Sequence, residues 1–442
     1  MRVDLALGVG YTSDLPEEVD VKVLVVGSGG REHALCWKLA SSPRVDKIYV
    51  APGNAGCAAV AERVDIKASQ IDALAAFVVT KEIDLTVVGP EVPLCLGLVD
   101  RLQRLGRKAY GPGKDAARLE GSKSYAKALC RQHNIPTPDF KVFKERSSLT
   151  DYLERAGGRY PLVLKADGLA AGKGVAICKN DEDVDEHLTA CFDRDAFDGA
   201  GSTVLVEEFV KGTEVSVIVV TDGQTLAVLP PARDYKAALE GGEGPNTGGM
   251  GAVSPAPVDP KVMARIEEKI LVATIHGMAV EGHPFRGTLY AGLMLTPAGP
   301  RVLEYNVRFG DPETQPTLVR LKSDLFDILW ASANGGLDEV EIEWDPRPAV
   351  TVVLTSGGYP GRYAKGFPIT GIELAERDPD VVVFHAGTES RGGKVLTAGG
   401  RVLNVTALGE TIADARRRAY EAVDKIHFEG MVYRSDIGAE LE

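Results

Sequence analysis

Short runs of consecutive apolar residues alternate with longer amphipathic stretches over the first quarter of the chain. Residues 21–26 (Val-Lys-Val-Leu-Val-Val), 47–50 and 85–88 predict buried strands, and 32–40 predicts a helix between the first two. Apolar strands separated by helices indicate a parallel sheet covered on both faces. This unit extends to about residue 122. Beyond it the pattern changes. Residues 162–166 and 175–178 flank a glycine-rich turn as in a hairpin, and 203–209 with 214–220 predict a second strand pair around Lys211-Gly212. Antiparallel pairs in mid-chain indicate a separate α+β module. Helical periodicity returns at 260–280 and 322–333. From about 346, strands are expected at 350–355, 381–384 and 401–407, and a helix at 411–426 opens on Thr411-x-x-Asp414. No internal repeat or low-complexity tract interrupts this order.

Length changes the picture first: 442 residues exceed one ordinary core, so two to four domains are expected. Hydrophobic content of 44% and charged content of 26% are those of a soluble globular protein. A net charge of −13 argues against a general nucleic-acid binder, since no basic surplus exists to neutralise phosphates. Local basic pockets for small anions are compatible with it. Six cysteines are scattered without CxxC or Cys/His ligand spacing, and read as small buried hydrophobes of a reducing compartment. No run reaches the length of a membrane span. Residues 1–20 carry Arg2 and then Glu17, Glu18 and Asp20, which makes a poor signal peptide. They are expected to be a loosely ordered extension on a cytoplasmic chain.

Chemistry concentrates in a few segments. The strand residues Arg301-Val302-Leu303 lead into Glu304-Tyr305-Asn306-Val307-Arg308-Phe309-Gly310-Asp311-Pro312-Glu313. Period-2 alternation places Glu304 and Asn306 on one face, with Arg308 next in line. Two hard oxygen donors suit Mg²⁺, and the arginine fork suits a carboxylate or phosphate. A strand end with ordinary surface charges reads the same way. The first strand opens into Gly27-Ser28-Gly29-Gly30-Arg31-Glu32-His33, a turn that lets backbone N–H groups approach an anion. The dinucleotide pattern GxGxxG needs glycine where Glu32 stands, so a monophosphate or phosphoribosyl group is the better tenant, with a plain tight turn as the alternative. His33 reads as a packing or turn residue. Gly89-Pro90-Glu91 sits at the carboxyl edge of the same sheet, where Glu91 either receives ribose hydroxyls or an amine, or belongs to a simple β-to-α turn. Lys165 and Lys173 flank a loop of small residues (Ala166 to Gly172) that suits phosphates but is not a P-loop. Glu207-Glu208-Phe209-Val210 ends a short apolar strand, which suits the edge of adenine, and Glu214 suits ribose hydroxyls. Arg233-Asp234-Tyr235-Lys236 and Gly244 to Gly251 bracket a glycine-rich loop of a kind that is functional or disordered.

Taken together these segments resemble the ATP-grasp superfamily and, within it, the family of phosphoribosylamine–glycine ligases. The resemblance runs from Val23 to about Ile437. It rests on Val-Gly-Ser-Gly-Gly-Arg-Glu-His-Ala (26–34), Ala-Pro-Gly-Asn-Ala-Gly (51–56), Val-Gly-Pro-Glu (88–91), Glu-Gly-Ser-Lys (120–123), Lys-Ala-Asp-Gly-Leu-Ala-Ala-Gly-Lys-Gly-Val (165–175), Gly-Pro-Asn-Thr-Gly-Gly-Met-Gly-Ala (244–252) and Asn-Val-Arg-Phe-Gly-Asp-Pro-Glu (306–313). Gly-Gly-Tyr-Pro (357–360), Phe-His-Ala-Gly-Thr (384–388) and Gly-Gly-Arg-Val-Leu (399–403) complete it. Ser28, Val253 and Ala237 depart from the family's usual Asn, Tyr and basic residue, which touches fine substrate contacts and not the reaction.

The resemblance implies an α/β and α+β multidomain chain. After an extension (1–20) come an N-terminal open parallel α/β domain (21–122), an ATP-grasp domain (123–345) with an antiparallel lid at about 142–213, and a small C-terminal α+β domain (346–442). It implies ligation of glycine to 5-phosphoribosylamine through glycyl phosphate, with ATP as co-substrate and Mg²⁺ or Mn²⁺ as the metal. Lys123, Lys165, Gly172 and Lys173 are expected at the ATP phosphates, and Glu207, Glu208, Phe209, Val210 and Glu214 at adenine and ribose. Many ATP-grasp enzymes place a further acid on the preceding strand. Residues 290–295 hold none, so Glu304 and Asn306 are the expected protein ligands of the metal. Arg308, with Lys236 and Asp234, is expected in catalysis. Gly29, Gly30, Arg31, Glu32, Glu91, Gly248, Gly249, Gly310 and Asp311 are expected to contact substrates. A monofunctional monomer, with neither nucleic acid nor membrane as partner, is expected. Another ATP-grasp ligase or carboxylase, or a nicotinamide-binding dehydrogenase or nucleotide sensor built on the 27–33 turn, are the rival readings.

Overall fold

The computed structural model describes residues 2–4, 20–157, 159–169, 174–194, 196 and 200–442. Near the N-terminus, five parallel strands stand in the order Glu62–Arg63, Val45–Pro52, Val21–Gly27, Leu85–Val88, Lys108–Tyr110. The central strand is apolar at nearly every position because both faces are covered, as the unbroken Val/Leu run required. The two outer strands were not anticipated; both are short, and Glu62–Arg63 is exposed, so neither carries an apolar run.

Two antiparallel sheets follow. One has the order Phe140–Phe143, Val204–Glu208, Leu162–Ala166, Val175–Cys178, and includes the expected hairpin, with Lys165 opposite Val175. The other runs Arg2–Asp4, Thr225–Val228, Thr213–Thr221, Gly287–Thr296, Gly299–Asn306. The expected pairing of 203–209 with 214–220 is therefore corrected: these strands lie in different sheets. Alternation reveals a strand but not its partner. Residues 209–212 cross from one sheet to the other, and Gly212 permits this because a Cβ there would lie 2.2 Å from the Leu295 carbonyl oxygen. A second correction concerns the N-terminus. Arg2–Asp4, read as part of a loose extension, is an edge strand paired with Thr225–Val228; residues 5–19 lie outside the described residues.

The last sheet joins Arg233–Asp234 and Gly251–Ser254 from mid-chain to Ala349–Ser356, Arg401–Leu408 and Val381–His385. The helix Ile412–Val423 packs on it, and the Thr411 hydroxyl accepts from the Asp414 N–H as the Thr-x-x-Asp start predicted. One apolar core fuses the N-terminal sheet to the five-stranded sheet, with Leu24 and Val26 against the same cluster as Val217, Leu289 and Ala291. Each such buried Val or Leu side chain contributes about 1.5–3 kcal/mol. The four-stranded sheet has a core of its own, built on Leu149, Leu162, Leu164 and Val204. A deep cavity lies where the sheets converge.

Candidate active site

The cavity has a volume of about 780 Å³, large enough for a nucleotide. The strand Gly299–Asn306 delivers its end to this space through a β-bulge. Glu304 faces Gly292, yet Val302 is already opposite Leu293, so Leu303 is the extra residue. Val302 and Tyr305 belong to the apolar core where it borders the cavity, while Glu304 and Asn306 bring polar oxygens to the cavity lining. The bulge also frees the Leu303 carbonyl, which accepts from Lys165 Nζ at 2.9 Å.

Charge is dense here. Burial works against ionising Glu304, but Lys236, Lys165, Lys123 and Arg308 together hold its carboxyl below the usual range. Opposite it, the strand Gly287–Thr296 carries no acid. Arg308 also sits against burial, and Glu120 and Glu91 keep it charged. Its Nη2 donates to Glu120 Oε1 at 2.9 Å and to Asn306 Oδ1 at 3.0 Å, and its Nε lies 3.3 Å from Glu91 Oε2. Glu120 also accepts from the Val307 N–H, and burial pushes its carboxyl up to about 7. Burial likewise opposes ionisation of Glu91, but Arg308 and Arg31 bring it below its ordinary value.

Three lysines, Lys123, Lys127 and Lys165, line the cavity together. Lys123 Nζ donates to the Gly168 carbonyl at 2.8 Å, and burial lowers its pKa. Lys165 and Lys127 both reach Glu207 Oε2, at 2.9 and 3.0 Å. Burial, with Lys165 adding to it, brings Lys127 down to about 8. Glu207 Oε1 is buried without a hydrogen-bond partner. Glu208 instead pairs with Arg301, at 3.0 Å, although it too lines the cavity beside Phe209, Val210 and Glu214. Gly172 and Lys173 lie outside the described residues.

Also lining the cavity, Lys236 Nζ holds Asp234 at 2.7–2.9 Å and lies 3.5 Å from Glu214. Burial opposes the charge on Lys236, but Asp234, Tyr290 and the nearby glutamates raise its pKa well above the ordinary value. The 27–33 turn closes on itself. Glu32 accepts from the Gly29 N–H at 2.5 Å and from Arg31 Nε at 2.6 Å, capping the helix Gly30–Leu39. It fills the space under the turn so fully that a Cβ on Gly27, whose φ is +130°, or on Gly89 would strike it at 2.5 and 2.1 Å. The dinucleotide pattern fails for that physical reason. His33 accepts the His385 N–H at Nδ1, as a packing residue does, and burial lowers its pKa to about 3.

Gly29, Arg31, Glu32, Glu91, Gly248 and Asp311 line the cavity, whereas Gly30, Gly249 and Gly310 stand behind its wall. A Cβ on Gly30 would meet Asn404 and Gln315 instead. Sequence reasoning passed over Lys127, Tyr290, Glu313 and Arg401, and quoted Glu120 without a role. Arg401 Nη1 donates to the carbonyls of Gly248 and Asp311 at 2.6 Å each, tying two motifs together. Glu120, Glu313 and Arg401 all belong to motifs quoted above, and that was the available signal.

Family profiles match almost the whole chain: "Phosphoribosylglycinamide synthetase, N domain" at 21–120, "ATP-grasp (A) domain" at 121–314 and "C domain" at 349–440. A phosphoribosylamine–glycine ligase of Rhodopirellula baltica is 49% identical over 421 residues, 94% of this chain and 96% of that protein. Another from Vibrio cholerae is 49% identical over 95% of this chain and 98% of its own length. The crystal structure of the Thermotoga maritima phosphoribosylamine–glycine ligase superposes with a TM-score of 0.83 at 36% identity, covering 94% of this chain and all of that one. The biotin carboxylase domain of Hydrogenobacter thermophilus 2-oxoglutarate carboxylase, solved with MgADP, shares the fold at TM-score 0.71 and 15% identity, over 94% of this chain and 92% of that one.

Proposed function

The chain belongs to the phosphoribosylglycinamide synthetase family, and from that premise we propose that it joins glycine to 5-phospho-D-ribosylamine using ATP. The products are glycinamide ribonucleotide, ADP and phosphate, in purine biosynthesis. A glycine carboxylate oxygen attacks the γ-phosphorus, giving glycyl phosphate as ADP leaves. The ribosylamine nitrogen then attacks the acyl carbon and phosphate leaves. Neither step needs a covalent nucleophile on the protein, only alignment and neutralised charge.

The observation that carries this reading is the bulged strand end, where an ionised Glu304 and Asn306 face a cavity beside Lys123, Lys165 and Arg308. The donor set fits Mg²⁺ or Mn²⁺. An ionised carboxylate and a carboxamide oxygen two residues apart, with no acid facing them, suit an ion completed by phosphate oxygens and water. When bound there, such an ion neutralises charge on the β- and γ-phosphates.

Lys123 and Lys165 hold the phosphates, while Glu207 to Val210 and Glu214 hold adenine and ribose. Arg308, fixed by Glu91 and Glu120, orients the glycine carboxylate and then the acyl phosphate. Gly29, Arg31, Glu91, Asp234, Lys236, Gly248 and Asp311 receive phosphoribosylamine, with Glu32 holding the turn in shape. The protein works as a cytoplasmic monomer without nucleic-acid or membrane partners. The net charge of −13 argues against a general nucleic-acid partner, and among the described residues no helix is long and apolar enough to cross a membrane.

The test is substrate dependence. ADP and phosphate should appear only with glycine and phosphoribosylamine together, and the product should have the mass of glycinamide ribonucleotide. Turnover driven instead by bicarbonate or biotin would overturn the reading.

A further inference from the structure

Amide formation leaves one task that none of the residues assigned above performs. As the ribosylamine nitrogen bonds to the acyl carbon it becomes positively charged, and it must lose a proton for the amide to form. We infer that Glu313 accepts this proton, an inference that rests on the ligase reading above.

The geometry singles it out. Glu313 is only 4% exposed, yet it lines the cavity on the wall shared with Asp234, Lys236 and Asp311. Gly310 makes room for it, since a Cβ there would lie 2.4 Å from Glu313 Oε2. The other carboxylates of the site are engaged. Asp234 is paired to Lys236, Glu91 and Glu120 hold Arg308, Asp311 accepts from Gln315, and Glu304 belongs to the metal position. Among the described residues no ion pair reaches Glu313. It faces Asp234, Lys236 and Arg308, with the Tyr290 hydroxyl beside it. Tyr290 Oη is 2.8 Å from Ser216 Oγ, which in turn lies 3.5 Å from Asp234 Oδ1, so polar groups run from beside Glu313 to Asp234. Burial first, and the Asp234 charge second, push Glu313 up to about 7, the basicity suited to a proton acceptor at neutral pH.

The step balances. The N–C bond forms, the C–O bond to phosphate breaks with its electron pair leaving on phosphate, and one N–H proton moves to a Glu313 oxygen and then to solvent. The first half-reaction makes no use of this group.

Glycyl phosphate can be trapped by hydroxylamine, a nucleophile that does not depend on the ribosylamine subsite. Native protein should form both glycine hydroxamate and glycinamide ribonucleotide; failure to form the ribonucleotide counts against the ligase reading, not against Glu313. Glu313→Gln should keep hydroxamate formation within about threefold while ligation falls about 100-fold or more. The rise in ligation rate through pH 7 seen in the native protein should vanish in the variant, and Glu313→Asp should restore part of it. A fall in ligation of less than tenfold, or an equal fall in both reactions, overturns the assignment.

Discussion

Two strand ends deliver charged, glycine-rich motifs to the same cavity and use them in opposite ways. After Val21–Gly27, Glu32 turns inward: both its oxygens are taken by the Gly29 N–H and by Arg31, and its bulk fills the space beneath Gly27 and Gly89. After Gly299–Asn306, a bulge turns Glu304 and Asn306 outward, and Arg308 stands between Glu91 and Glu120. The two motifs also touch, since Arg31 Nη1 donates to the Phe309 carbonyl and its N–H to Asp311. A carboxylate in a motif is chemical equipment only where its lone pairs stay free. At the turn, architecture consumes them; at the bulge, it presents them.

The largest effect should come from removing the presented carboxylate. Glu304→Ala should reduce turnover by about 10³-fold or more, with thermal unfolding within a few degrees of native, because Lys123, Lys165 and Lys236 each keep another partner. Turnover within tenfold of native at saturating Mg²⁺ would break the contrast from this side. Removing the consumed carboxylate should act on the fold instead. Glu32→Ala leaves Arg31 buried without its ion pair, and breaking such a pair costs about 3–5 kcal/mol in urea unfolding. A loss below about 1 kcal/mol, combined with a raised KM for phosphoribosylamine, would make Glu32 a substrate contact.

Sequence pattern reached far into this molecule, but unevenly. The central strands and the Thr411-capped helix were legible because burial on two faces, or a cap and a periodic face, leaves a local trace. The split of 203–209 from 214–220 into two sheets was not, since partner choice depends on where the chain crosses and not on alternation. That Glu304 and Asn306 share a face was legible from spacing, although the bulge at Leu303 that turns them to the cavity was not. Glu313 and Arg401 stood in quoted motifs, yet their surroundings depend on neighbours up to 153 residues away, as with Arg401 and Gly248. Gly30 shows the converse: its motif suggested substrate, while the fold packs it against Asn404.

A smaller effect probes how tightly the turn is sealed. His33 is held neutral by burial, with His385 adding to it, and its pKa falls to about 3 against 6.5 for an unfolded histidine. Between those values the unfolded chain binds the extra proton, so stability present above pH 6.5 is lost as pH falls toward 3. Glu120 and Glu313 act with the opposite sign. Their carboxyls, raised to about 7, bind protons in the folded state first, so they add stability as pH falls from 7 toward 4.5. The whole-protein curve therefore understates the histidine, and a difference must be measured. His33→Gln keeps an acceptor for the His385 N–H and cannot take up charge. Relative to native it should gain about 2–3 kcal/mol between pH 7 and pH 4, read from urea unfolding at each pH. A constant difference would mean that His33 ionises in place. The turn would then admit water and charge as the bulged strand end does, and the contrast between the two regions would narrow to the orientation of one glutamate.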